Sequence, residues 1–197
     1  MKQFSAKNIL NIALAGHSGA GKTSIAEAML YLSGASERRG KIAEGNTVCD
    51  YDAEEIRRQA SVSAAVAPLE WKNRKINLID APGLFDFEGG LREAVRAADS
   101  VLIAVSGKDG AAVGTEKAFA AASARGLAKM FFVNGLCDES ARFYRVFEDL
   151  KAKFGPSICP VVVPFIVVIA TLTYIFYYTI LFIFIQQIIV LFTFIFH

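Results

Sequence analysis

The run Gly16-His17-Ser18-Gly19-Ala20-Gly21-Lys22-Thr23 sets glycine, lysine and hydroxyl residues at the spacing G-x-x-x-x-G-K-[ST]. Glycines let backbone N–H groups converge on a phosphate, and a helix opening at Lys22 adds the favourable partial charge of its N-terminus. Lys22 is placed to bridge the β- and γ-phosphate oxygens of a nucleoside triphosphate, and the Thr23 hydroxyl to ligate Mg²⁺. His17 reads as a loop spacer rather than a catalyst. A second cluster, Asp80-Ala81-Pro82-Gly83, ends the apolar run Ile76–Ile79 with the pattern D-x-x-G. An Asp at a strand end beside a phosphate loop can hold Mg²⁺ through water, and the Gly83 N–H can meet the γ-phosphate. By itself D-x-x-G is also a common turn. Behind a full phosphate loop it reads as the second half of one site, with Lys22 and Gly83 as candidate catalytic residues.

These residues need a strand before the loop and a helix after it. Ile9–Ala15 reads as a buried strand ending at Gly16, and Lys22–Leu32 as a helix with Ile25, Met29 and Leu32 on one face. Gly34–Gln59, polar and glycine-containing, reads as a long mobile loop. Ser61–Trp71 and Lys75–Asp80 read as an antiparallel hairpin around Lys72-Asn73-Arg74. Val101–Val105 and Met130–Val133 read as further strands. Thr115–Ala124, closed by Gly126, and Ser140–Phe154, striped with Phe143, Val146, Phe147 and Leu150, read as helices. Strands alternating with helix-length segments predict an α/β fold, a parallel-type sheet flanked by helices. The regular pattern ends near Gly155-Pro156, Pro160 and Pro164.

The chain has 197 residues, enough for one domain with a full core, and 21 Lys+Arg against 19 Asp+Glu. That balance argues for neither a nucleic-acid nor an acidic partner. Three cysteines without C-x-x-C spacing suggest no disulfide framework or zinc site, and fit a reduced, cytosolic compartment. The N-terminal apolar run enters the phosphate loop directly, with no small-residue cleavage site of a signal peptide. Every charged residue lies at or before Lys153 and every glycine at or before Gly155. The chain thus divides chemically into a domain over 1–164 and a hydrophobic tail over 165–197.

With both motifs in place, the chain resembles elongation factor G and its close paralogues, over Asn8 to about Pro164. Asn11–Thr23, Lys75–Phe87, Val113–Lys117 (VGTEK) and Ala141–Phe154 carry the likeness beyond the generic motifs. The resemblance implies a P-loop GTP-binding (G) domain with GTP and Mg²⁺ as cofactors. The family moves tRNA and mRNA through the ribosome or recycles ribosomes, which implies GTP/GDP and the ribosome as partners. Gly16 to Thr23 and Asp80 to Gly83 would then hold the phosphates, and Thr23, Ser61 and Asp80 the metal. Ser61 matches a switch threonine of the family, although the family's nearby glycine is Gln59 here.

Two departures weaken the transfer. The family's water-orienting histidine after D-x-x-G is Leu84, which has no hydrogen-bonding atom, so hydrolysis is expected to be weak. The family's guanine-reading N-K-x-D appears as Asn134-Gly135-Leu136-Cys137-Asp138: Asn134 is in register, and Asp138 lies one place too far along. Asp138 either reaches the base through a reshaped loop or caps the Ser140 helix. No match to the family's last guanine-clasping loop precedes the tail. The G domain is expected to be incomplete and the later ribosome-contacting domains absent.

The uncharged stretch Ile166–His197 exceeds the ~20 apolar residues that span a bilayer. It reads as a C-terminal anchor, giving membrane contact through 166–197 with the nucleotide domain in the cytoplasm. Arg142, Arg145, Lys151 and Lys153 would form its cytoplasmic flank. It reads equally as an end translated out of frame. A buried core segment fits less well, because the run lacks the polar breaks of a soluble fold. Three functions stay open on sequence: a GTPase, a hydrolysis-poor nucleotide-binding module, and a non-functional fragment of a translation factor.

Overall fold

The computed structural model describes residues 3–164. Five strands form one sheet in the order β2-β3-β1-β4-β5: β1 (Ile9–Gly16), β2 (Ala65–Trp71), β3 (Arg74–Asp80), β4 (Ser100–Ser106) and β5 (Ala128–Asn134). β2 and β3 pair antiparallel; β3–β1, β1–β4 and β4–β5 are parallel. The hairpin turns on Lys72 and Asn73, both with positive φ, the two-residue geometry that suits the right-handed twist of a strand pair. The helices are α1 (Lys22–Leu32), α2 (Ala53–Arg58), α3 (Glu88–Ala97), α4 (Val113–Ala124) and α5 (Phe143–Phe154).

Alternation along the central strands loads both faces of the sheet. Leu10, Ile12 and Leu14 of β1 join Leu78 and Leu102 against Ile25 and Met29 of α1. Ala13 and Ala15, with Val101 and Ile103, meet Leu91 and Val95 of α3 and Ala118 and Ala122 of α4. α5 packs through Val146 and Leu150 against Val105, Phe131 and Val133 on that second side. Burial on both faces is why β1 and β4 read as continuous apolar runs. The carboxyl ends of β1 and β3 therefore lie side by side, with Leu14 opposite Asp80 in register.

Four expectations change. Residues 34–59, expected as a mobile loop, contain a 3-10 turn at Ile42–Glu44 and the helix α2. A reciprocal capping box between Asp52 and Glu55 starts α2. β2 begins at Ala65 rather than Ser61, and α5 at Phe143 rather than Ser140. Helix α3 was not anticipated at all. Gly89-Gly90 lowers its helix propensity, yet Leu91, Ala94 and Val95 give it a buried face. Gly90 has a packing reason: a Cβ there would lie 2.6 Å from Pro82 Cγ.

β5 is an edge strand. All seven of its residues are only partly buried, whereas six of the seven in β4 are buried. Beside it lies an apolar groove of about 500 Å³ lined by Met130, Phe132, Phe143, Phe147, Ile158 and Val161, among others. The expected tail over 165–197 lies outside the described residues. Among the described residues, no helix is long and apolar enough to cross a membrane.

Candidate functional site

The turn from β1 into α1 is shaped by glycines that nothing else could replace. Gly16 has φ +134°, and a Cβ there would collide with the Ala104 carbonyl oxygen of β4. Gly21, at φ +85°, forms the N-cap of α1 in the left-handed region, and no side chain caps the helix. The first-turn N–H groups of α1 therefore point outward without a side-chain acceptor, the arrangement that accepts an anion. Lys22, only 6% exposed, folds back so that Nζ donates to the His17 carbonyl at 3.0 Å. Gly83 comes from the end of β3 to the same point: a Cβ there would strike Lys22 Nζ and lie 2.8 Å from the Ser18 nitrogen. The glycine of D-x-x-G is thus dictated by close approach to the phosphate loop.

Beside the lysine, three predicted metal residues meet. Thr23 Oγ1 donates to Asp80 Oδ2 at 2.6 Å and lies 3.3 Å from Ser61 Oγ. Ser61 donates in turn to Asp50 Oδ1 at 2.7 Å. The other Asp80 oxygen, Oδ1, is buried without a hydrogen-bond partner. Asp50 was missed at the sequence level. It belongs to no motif, and only the path of residues 40–61 brings it here. Together Ser18, Gly19, Lys22, Thr23, Asp50, Ser61, Gly83 and Leu84 line a cavity of about 160 Å³.

The electrostatics match a site for a cation and an anion together. Burial pushes Asp80 up to about 7, against the pull of Thr23 and Lys22. Burial raises Asp50 too, against its hydrogen bond from Ser61. Lys22 is pulled below its ordinary value by the same desolvation, which outweighs the attraction of Asp80 and Asp50. An orphaned carboxylate oxygen, two hydroxyls and a second carboxylate form a hard-oxygen set of the kind Mg²⁺ takes. The residues present fit a metal–phosphate pair.

This burial has a consequence for the metal-free protein. Asp80 has an ordinary value of 3.8 in the unfolded chain and about 7 in the fold, so the folded state holds the extra proton between those values. Stability contributed by this group is therefore present at low pH and is lost as pH rises toward 7. Asp80→Asn is expected to flatten that slope. The difference between denaturant midpoints at about pH 5 and about pH 8 in a chelator should be smaller in the variant than in the parent.

The remaining predicted residues fall into two groups. Ala81 and Pro82 are buried, with Ala81 N donating to Leu14 O at 3.1 Å, so they brace the crossing from β3 to Gly83. His17 packs against Gly114 and lies 5.7 Å from the Phe85 ring, its Nδ1 buried without a partner. Asn134, at the end of β5, donates from Nδ2 to the Ala20 carbonyl at 3.2 Å and so ties that strand to the phosphate loop. Asp138 is not brought to the site. Its carboxylate accepts from the Ser140 backbone N–H at 2.8 Å and from the Ser140 hydroxyl, which hold it below the usual carboxylate range. Nor does it cap α5, which starts after Arg142 without a side-chain cap.

A model of the family described as "Elongation factor Tu GTP binding domain" matches residues 7–190. An elongation factor G-like protein of Mycobacterium tuberculosis (strain ATCC 25618 / H37Rv) is 36% identical over 156 residues, covering 79% of this chain and 22% of that protein. Elongation factor G of Granulibacter bethesdensis is 33% identical over 164 residues, covering 83% of this chain and 24% of that one. A crystal structure of a Thermus thermophilus protein superposes with a TM-score of 0.78 at 42% identity, over 83% of this chain and 24% of that one. The chain spans about a quarter or less of the length of these relatives. Phosphate loop, D-x-x-G and the Asn134 tie all fall inside the matched region, and the chain belongs to the elongation factor Tu GTP binding domain family, resembling its elongation factor G-like members.

Proposed function

We propose that the chain binds Mg²⁺–GTP at the mouth of the β1–α1 loop and hydrolyses it poorly. The observation that carries this reading is the convergence of Thr23, Asp80 and Ser61 within one hydrogen-bonded cluster beside Lys22. In this reading the Gly19–Thr23 N–H groups cradle the phosphates, Lys22 exchanges its bond to His17 for the outer phosphate oxygens, and the Gly83 N–H meets the γ-phosphate. Thr23 and Ser61 would hold Mg²⁺ directly and Asp80 through water; the bound cation supplies charge neutralisation of the phosphate oxygens. A ribosomal partner follows from the family alone. The domain division at residue 164, with the tail beyond it, belongs to the same proposal.

A second reading, a module that signals by nucleotide occupancy without turnover, is favoured by one observation. Leu84 lines the cavity next to Gly83, where an attacking water would need a hydrogen-bonding partner. The test of either reading begins with binding. A fluorescent GTP analogue should bind the full chain in a Mg²⁺-dependent manner, and absence of binding would refute both.

Base choice is expected to be poor. Asp138 is held by Ser140, and Gly135 stands in place of a lysine stem, so neither position offers the guanine a partner in this arrangement. A site built for such hydrogen bonds discriminates by about 10⁴ or more. Competition between GTP and ATP should show far less than that, whereas a strong GTP preference would mean that Asp138 leaves Ser140 and reaches the base.

A further inference from the structure

Glu27 and Glu55 are each only 1% exposed, and among the described residues neither forms an ion pair. Burying an unpaired carboxylate is costly unless donors surround it. Here the donors are mainly backbone N–H groups of one segment. From α1, Glu27 accepts from Gly40 N at 2.8 Å through one oxygen and from Val48 N at 2.5 Å through the other. From α2, one Glu55 oxygen accepts from Val62 N at 2.9 Å, Ser63 N at 3.1 Å and the Ser63 hydroxyl at 3.4 Å, while its other oxygen takes Asp52 N at 3.3 Å. Gly40 is shaped for its clasp: a Cβ there would lie 2.7 Å from Glu27 Oε2 and 2.7 Å from the Asn46 carbonyl oxygen.

The two clasps sit at informative places. Glu27 holds Val48, two residues before Asp50; Glu55 holds the two residues that follow Ser61. Asp50 and Ser61 then meet each other, and Ser61 meets Thr23. We infer that Glu27 and Glu55 are positioning residues that hold segment 40–63 closed over the phosphate cavity and so assemble the Asp50–Ser61 half of the metal site. The inference rests on the reading of that cavity as a Mg²⁺–triphosphate site. It makes the closed segment partly independent of nucleotide, because each glutamate loses its buried donors when the segment leaves. Triphosphate, which needs Ser61 at the metal, depends on the clasps; diphosphate, held by the Gly16–Thr23 loop, does not.

The chemistry separates the variants. Both Glu27 oxygens accept from N–H groups, so Glu27→Gln sets an amide donor against a backbone donor and breaks the clasp. Glu55 takes Val62 and Ser63 on one oxygen and Asp52 N on the other, so Glu55→Gln keeps the Val62–Ser63 clasp and gives up the Asp52 bond, whereas Glu55→Ala removes both. Full-length protein is titrated with fluorescent GDP and with a non-hydrolysable GTP analogue in Mg²⁺, and amide exchange is followed without nucleotide. Expected for Glu27→Gln and Glu55→Ala is a loss of about tenfold or more in triphosphate affinity with diphosphate affinity unchanged. Glu55→Gln should keep more triphosphate affinity than Glu55→Ala, with the Val62 and Ser63 amides still protected. Amides of Gly40 and Val48, or of Val62 and Ser63, should exchange faster in the matching variant while those of β1 stay protected.

Equal loss of both nucleotides, loss of β1 protection, or unchanged exchange at the clasped amides would each overturn the inference. If the parent binds neither nucleotide, the functional reading fails, and the exchange experiment still decides the clasp.

Discussion

Lys22→Ala is expected to remove most of the triphosphate affinity of this chain. Among the described residues lining the phosphate cavity, Lys22 is the one cationic side chain. A charge-assisted hydrogen bond in a desolvated site contributes about 1.5–3 kcal/mol, and Lys22 would make two of them to phosphate oxygens. The expected loss is about 3 kcal/mol or more, at least a hundredfold in affinity. The loss should not come from unfolding. Burial depresses the Lys22 ammonium below its ordinary value, so its charge is not a source of stability for the metal-free fold. Titration of parent and variant with a fluorescent GTP analogue, with a melting curve for each, checks both halves. Equal affinity would show that the loop is not a phosphate site.

The second large effect concerns turnover. Leu84 follows Gly83 and presents only hydrocarbon to the cavity, so no side chain at that position orients a water toward the γ-phosphate. Phosphate release from GTP is expected at the unassisted rate, on the order of 10⁻⁴ to 10⁻² s⁻¹. Leu84→His should raise it by about tenfold or more. That gain should vanish when Ser61→Ala is added, because the serine hydroxyl closes the metal side of the site over Thr23. Single-turnover phosphate release measures all three proteins. Turnover at ordinary enzyme rates by the parent chain would mean that another group orients the water, and the assignment of weakness to Leu84 would fall.

Much of the architecture was legible because it is written in short periods. Apolar runs buried on both faces marked β1 and β4, and Gly126 marked the end of α4. Other parts were masked by a local signal of opposite sign. Gly89-Gly90 hid α3, although its Leu91–Ala94–Val95 face was present. The polar, glycine-bearing composition of 34–59 hid α2, although Asp52 and Glu55 at capping-box spacing announced it. Propensity is a weak prior, and packing on the sheet overrode it in both places.

Within the candidate site, the sequence by itself determined the glycine-shaped loop that joins β1 to α1. Gly16 to Thr23 are contiguous, and a loop that turns its own N–H groups inward needs glycine at set positions, so residue type and spacing encode it. Gly83 was equally legible, because any side chain there meets Lys22 or the Ser18 nitrogen. Only the tertiary structure decided the rest. Asp50 reaches Ser61 from eleven residues away, and Asp138 turns to Ser140. Glu27 and Glu55 recognise backbone N–H groups, which every residue but proline carries, so their partners leave no pattern of residue types to read.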